Sequence, residues 1–252
     1  MEITPYFTTL LALLFFVVAF IYSSVGMGGG SSYTALMAIA GMSTLAIPMV
    51  SLSLNLFVST ISSFNFLRNK HGKMRIILPF LISAIPFAYL GGALSLPKEV
   101  FLWVLLASLV IVAMRIYLWE DTSFEIILSQ KQKILASLVA GSVLGLVAGI
   151  VGIGGGIYLV PLIIMLRIGN QKEAAATGAI FVWTVSLSGL VSRLQYNAID
   201  LTNYLPLIGA VIIGGFLGSY FGSFKYSPKT MEKSLGVIIL VAIVFLVKKI
   251  LF

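Results

Sequence analysis

The sequence predicts an all-α polytopic membrane protein, built as two inverted repeats of five helical segments each, with short broken helices at glycine-rich turns. Three observations lead there. Apolar runs of roughly 20 residues, the length a helix needs to cross hydrocarbon, recur from end to end of the chain. Charged residues make up 10% of the composition and hydrophobic ones 60%, whereas a soluble domain carries about 25% charge. Finally, Ser24 to Leu36 reads S-V-G-M-G-G-G-S-S-Y-T-A-L, and Gly149 to Leu162 reads G-I-V-G-I-G-G-G-I-Y-L-V-P-L. Gly26, Gly28, Gly29 and Gly30 fall on Gly152, Gly154, Gly155 and Gly156 at a shift of 126 residues, half the 252-residue chain.

In chain order the predicted segments are 5–25, 29–41, 47–66, 76–95, 99–119, 134–151, 155–166, 174–194, 203–223 and 229–250. The first follows Met1-Glu2-Ile3-Thr4, which lacks the basic leader of a cleaved signal peptide, so it reads as a retained span. Pro48, Pro97 and Pro228 stand near segment starts, where a missing N–H costs little. Pro79, Pro86, Pro161 and Pro206 lie inside apolar runs and are expected to kink or interrupt them. Segments 29–41 and 155–166 are short. At about 1.5 Å per residue each reaches roughly 20 Å, below a bilayer core of about 30 Å, so both read as half-helices.

The duplication extends beyond the glycines. Ser51 falls on Thr177 at the same shift, while Pro79 falls on Pro206 and Leu90-Gly91 on Leu217-Gly218 at 127. The chain therefore divides into a first membrane repeat (1–119), a cytoplasmic linker (120–133) and a second membrane repeat (134–252). If all ten segments cross with the N-terminus outside, 12 Lys and Arg lie inside and 4 outside. If the two short segments dip in and return, the best split is 10 against 6. The positive-inside rule prefers ten crossings, although the Lys248-Lys249 pair offends it. Five crossings per repeat make the repeats face opposite ways, an arrangement common in secondary transporters. A multi-pass protein of the cytoplasmic membrane is expected.

Both glycine turns open short helices whose first N–H groups lack intrahelical partners. With the helix dipole, such groups make an anion site that needs no cationic side chain. Ser31 and Ser32 add hydroxyl donors in the first copy. The alternative is that the glycines permit close helix packing, as small residues do in membrane bundles. Ser51, Ser53 and Asn55, and Thr177 with Trp183, set polar groups inside otherwise apolar spans. Candidate substrate-binding residues are therefore Gly26, Gly28, Gly29, Gly30, Ser31, Ser32, Ser51, Asn55, Gly152, Gly154, Gly155, Gly156 and Thr177.

Charge is informative mainly by where it is missing. All eight acids, including Glu173 and Asp200, sit at segment ends or in loops, and the lone His71 lies in a basic loop. No mid-depth carboxylate or histidine offers a proton relay. Coupling would have to use a segment-end acid such as Glu173 or Asp200, or titration of the substrate itself. Arg193 is the cation nearest a span interior; it either attracts an anion or snorkels to the interface. The absence of cysteine excludes disulfides and thiolate sites, and nothing resembles a catalytic dyad or a metal cluster. No enzyme activity, cofactor or metal is expected. The net charge of +8 is read as loop charge rather than as a nucleic-acid surface.

With Gly26-Met27-Gly28-Gly29-Gly30 and Gly152-Ile153-Gly154-Gly155-Gly156, the second running on to Val160-Pro161-Leu162, the chain resembles the TauE/SafE family of sulfite and sulfonate exporters. Ala176-Thr177 after Lys172-Glu173, and Asn197-Ala198-Ile199-Asp200, resemble further family steps. The departures are Ser31-Ser32-Tyr33 without a proline matching Pro161, Asn197 for a usual glycine, and Gly72-Lys73-Met74-Arg75 where an acid is usual. The resemblance implies export of small sulfur-containing anions. The reading is thus a secondary transporter working by alternating access, one repeat moving against the other, with the anion held at the glycine-rich helix starts. A passive anion channel and a non-transporting scaffold or subunit stay open as alternatives. The expected partners are a small sulfite- or sulfonate-like anion and the lipid bilayer, with a homo-oligomer left open.

Overall fold

A computed structural model describes residues 5–24, 27–68, 70–118, 128–196, 201–222 and 228–251. The described residues form ten α-helices and one 3-10 turn, with no strand among them. They are α1 (Pro5–Ser24), α2 (Gly30–Ile39), α3 (Ala46–Arg68), α4 (Met74–Ala93) and α5 (Lys98–Leu118), then α6 (Gln130–Val151), α7 (Gly156–Met165), α8 (Gln171–Tyr196), α9 (Leu205–Gly222) and α10 (Pro228–Leu251). Five of them, α3, α4, α5, α6 and α8, are long and apolar enough to cross a bilayer on length and composition. The second helix of each group of five, α2 and α7, has only 10 residues. At about 1.5 Å per residue that is roughly 15 Å, half a hydrocarbon core.

The outer surface is apolar, with Leu13, Leu78, Leu135, Phe216 and Val244 among the exposed side chains, while Ser51, Asn55, Thr177, Ser186 and Ser192 are buried. Hydrocarbon suits that surface, and this is a multi-pass membrane protein. Several buried hydroxyls bond along their own helix, as Ser53 does to the Met49 carbonyl and Ser59 to that of Asn55.

Helix ends follow local chemistry. α6 begins before its hydrophobic run because Ser129 and Gln132 make a reciprocal capping box. α8 begins at Gln171 because Asn170 and Glu173 cap it in the same way, each side chain accepting from the other's N–H at 3.0 Å. The prolines depart from expectation. α4 continues through Pro79 and Pro86, and α7 through Pro161. Pro206 is the second residue of α9, a first-turn position where its lost N–H has no intrahelical partner to lose.

Packing interlocks the chain. α4 lies on α6, and α1 lies on α9. On α6, Gly141, Gly145 and Gly149 face the backbone of Phe80, Ala84 and Ala88, so the two helices run parallel in contact too close for any Cβ. Gly214 and Gly218 of α9 meet the carbonyls of Phe16 and Phe20 in the same manner. The i, i+4 spacing puts such glycines on one face, where backbones can approach. α8 also packs against α4, and α3 against α8. In that pair Leu52 reaches Gly189 and Trp183 reaches Thr60, so the two helices run antiparallel.

Candidate functional site

The two glycine turns meet in the interior. A Cβ on Gly30 would stand 2.5 Å from the Ile153 carbonyl oxygen and 2.8 Å from that of Gly152. Asn55 of α3 and Val182 of α8 fill the space between the turns. Gly28 and Gly154 each face both side chains, and Gly156 faces Val182. The described residues from Met27 to Ser32 and from Gly152 to Gly156 are all buried. Neither α2 nor α7 has a side-chain cap at its start, so the donors of both first turns are left to other partners. Gly26 lies outside the described residues.

The turns reach this meeting by different backbones. Gly152, Gly154 and Gly155 have φ of 85°, 79° and 76°, a left-handed run that only glycine enters without strain. Gly29, which stands before α2, has φ −80° and needs no such freedom. It is glycine because the Tyr33 ring folds onto it, where a Cβ would collide.

Polar groups of the first repeat concentrate where the two turns meet. Ser51 donates to the Gly152 carbonyl at 2.8 Å, and Asn55 Nδ2 donates to the same oxygen at 3.3 Å. Thr34 donates to the Gly30 carbonyl at 2.6 Å and lies 3.1 Å from Ser51 Oγ. Because Nδ2 must face the Gly152 carbonyl, Asn55 Oδ1 points toward Gly28, where it is buried and accepts no hydrogen bond. Ser31 and Ser32 meet the Tyr22 hydroxyl at 2.5 and 3.0 Å, so their hydroxyls are engaged in a three-membered cluster. Thr177, the sequence match of Ser51, stands apart and bonds along its own helix to the Glu173 carbonyl at 2.8 Å. Its neighbour Gly178 is what meets α7, against Val160.

Charged residues near the site have structural work. Arg193 does not snorkel: it is 4% exposed. Its guanidinium donates to the Gly149 carbonyl at 2.9 Å and to that of Ile150 at 2.7 Å. It thus satisfies the last carbonyls of α6 just before the left-handed turn, where a cation meets the negative end of the helix dipole. Glu173, one expected coupling acid, is held by Lys73 and by its capping role; Asp200, the other, lies outside the described residues. Lys249, part of the pair that offends the charge rule, donates to the Ala38 carbonyl at the end of α2 at 2.6 Å. The sequence reading missed Tyr22, Thr34, Val182 and the capping role of Arg193. A buried tyrosine hydroxyl demands a partner, and that rule was the available signal for Tyr22.

Comparison with known proteins agrees with this architecture. The family model described as "Sulfite exporter TauE/SafE" matches residues 11–246. A probable membrane transporter protein of Sinorhizobium fredii is 36% identical over 236 residues, covering 92% of this chain and 95% of its own. A probable membrane transporter protein of Methanocaldococcus jannaschii is 25% identical over 218 residues, 81% of this chain and 78% of its own. No solved structure matches the chain. With nearly its whole length matched and its glycine turns brought together at the centre of the helical bundle, the chain belongs to the sulfite exporter TauE/SafE family.

Proposed function

We propose that this protein is a secondary transporter exporting a small sulfur-containing anion, such as sulfite or an organosulfonate, by alternating access. The observation that carries the reading is the convergence of two uncapped helix starts, Gly30 and Gly156, on Asn55 and Val182 in a buried interior. Backbone donors and helix dipoles there favour negative charge without a buried cation. Asn55 Oδ1, an acceptor with nothing to accept, suits a ligand that carries a proton as well as a charge, as hydrogen sulfite does. Such a substrate brings its own proton, which fits a chain without mid-depth acids. Membership of a family described as sulfite exporters supports the same substrate class.

The moving parts in this reading are not the two sequence repeats. α4 is seamed to α6 and α8, and α9 to α1. One body is then α4, α6, α7 and α8, the other α1, α2, α3 and α9, and they part along α3 and α8. The antiparallel run of that pair supports the inverted relation of the repeats. N-terminus outside, and the ends of α4, α6 and α8 nearest Lys73, Lys133 and Glu173 inside, is the orientation the charge count favours.

Thermal stability of the purified protein against sulfite, sulfate, thiosulfate, sulfoacetate, taurine and chloride tests the substrate. A ligand at about 100 times its Kd adds roughly 2.7 kcal/mol if it binds only the folded state. A selective rise with sulfite or a sulfonate is expected, and no rise with any of them rejects this substrate class. The cysteine-free chain also gives a clean background for crosslinking. Thr60→Cys with Trp183→Cys, whose native side chains meet at 3.0 Å across α3 and α8, should stop flux when bridged by a short bis-methanethiosulfonate, which forms a disulfide to each cysteine and releases methanesulfinate. Tyr89→Cys with Gln195→Cys, bridging α4 and α8 at the site of a 2.6 Å bond, should leave flux intact. The reverse pattern would sink the proposed division into bodies.

A further inference from the structure

We propose that the end of the molecule where α4, α6 and α8 begin binds an anionic phospholipid, headgroup phosphate in a basic cavity and one acyl chain in an adjoining groove. The cavity measures about 590 Å³ and is lined by Lys73 just before α4, Arg75 of α4, Lys133 of α6, and Arg167 after α7. Glu173, the carboxylate in its wall, is bound to Lys73 and to the backbone N–H of Asn170. Among the described residues, four cations and one committed carboxylate line the cavity, so its described lining is net positive. Basic pockets between membrane helices are places where anionic headgroups bind.

Arg167 carries a second, independent sign. Its φ is 48°, in the left-handed region where glycine is favoured. α7 ends in a Schellman motif, with Arg167 N–H bonded to the Ile164 carbonyl and Ile168 N–H to that of Ile163. α2 ends in the same motif, with Gly41 N–H to Ala38 and Met42 N–H to Met37, and there the left-handed residue is Gly41 at φ 80°. Positions 41 and 167 are separated by the same 126 residues as the glycine turns. One chain thus builds the same cap twice. It uses glycine where the cap is all that is needed, and a strained arginine where the side chain faces the cavity.

The groove explains why the ligand is a lipid and not a soluble phosphate. It measures about 480 Å³ and is lined by Val139, Val143 and Leu144 of α6 with Tyr158 and Leu162 of α7 and Leu166 at its end. It adjoins the cavity: Leu166 and Arg167 are consecutive and serve one each, as are Ala136 and Ser137. Lys133 Nζ, donating to the Arg167 carbonyl at 2.7 Å, marks the seam. From Ala136 to Leu144 the groove follows α6 for about 12 Å, close to the roughly 15 Å depth of one leaflet. Phosphate and acyl chain would therefore be engaged by one continuous surface.

Delipidated protein in detergent, followed by native mass spectrometry and melting temperature, tests this with phosphatidylglycerol, phosphatidylcholine and glycerol 3-phosphate as probes. Phosphatidylglycerol should bind at least about tenfold more tightly than phosphatidylcholine, the scale expected of one or two lysine or arginine contacts. Glycerol 3-phosphate should not compete. Arg167→Gly should abolish the preference while the protein still folds, since glycine is what that backbone favours. Arg75→Gln, on a different helix, should reduce the preference as well, and Val143→Asp should weaken both lipids. Equal binding of the two lipids by the native protein, or an undiminished preference in both cation variants, overturns the proposal. Competition by glycerol 3-phosphate overturns it too, by reducing the site to one for free phosphate.

Discussion

The two glycine turns read almost alike and behave differently. The turn before α7 is made of left-handed glycines, Gly152, Gly154 and Gly155. From its own repeat it meets apolar side chains: Phe181 lies against Gly155, and Val182 against Gly154 and Gly156. The turn before α2 keeps ordinary backbone at Gly29. Its repeat supplies the hydroxyls and the amide: Tyr22, Ser31, Ser32 and Thr34 beside the turn, and Ser51 and Asn55, which also reach across to the Gly152 carbonyl. Sequence-matched positions tell the same story. Ser31, Thr34 and Asn55 stand where Ile157, Val160 and Phe181 stand 126 residues later. One copy supplies a rigid backbone bend and the other supplies chemistry. Similar glycine patterns therefore do not imply similar reasons for glycine.

Alanine substitution breaks that comparison most sharply. Gly152→Ala combines a left-handed backbone with a Cβ 2.8 Å from Pro48 Cα, a backbone atom that cannot step aside. It should cost about 2–4 kcal/mol in chemical or thermal denaturation in detergent. Trimming side chains should not rescue it. Gly28→Ala collides with the Val182 side chain at 2.8 Å, so Gly28→Ala with Val182→Ala should recover to within about 1 kcal/mol of Val182→Ala alone. If the double variant stays as unstable as Gly152→Ala, the distinction between the turns fails.

A smaller effect separates Ser51 from its match. Ser51→Ala removes a buried donor to the Gly152 carbonyl and should cost about 1–2 kcal/mol. Thr177→Ala removes only a bond along α8 and should cost less than about 0.5 kcal/mol. Equal losses would restore the symmetry that the repeat suggests. Asn55→Leu is also small in stability. It gives up one long bond of 3.3 Å and removes an unsatisfied buried oxygen, for a net change below about 1 kcal/mol. It should nevertheless erase any anion-induced rise in melting temperature. Retention of that rise would move the binding site away from Asn55.

Much of this was legible in the chain. Each of the ten helices falls on a predicted apolar segment, because hydropathy reports length directly. The short α2 and α7 were visible from the glycines that precede them. Partnership was less legible, since an apolar face does not name its neighbour. The α4 to α6 seam nonetheless left a mark in Gly141, Gly145 and Gly149, an i, i+4 series whose only use is close backbone contact. Thr177 was drawn to the site by its register, but a hydroxyl in a helix has its own i−4 carbonyl within reach and here takes it. Arg193 was misread because burial of a cation depends on carbonyls from another helix, which no local window contains.

The α1 to α9 seam bears on how the chain comes into being. Gly214 and Gly218 close against carbonyls of Phe16 and Phe20 in α1, each 198 residues earlier in the chain. At about 5–20 residues per second, the first helix waits roughly 10–40 s in the membrane before its partner exists. The short helix α2 waits longer still, since Lys249 is what ties down its last turn. A nascent first half is thus an array of loosely held helices with a polar turn facing lipid. Its protection during synthesis must come from insertion machinery rather than from its own fold.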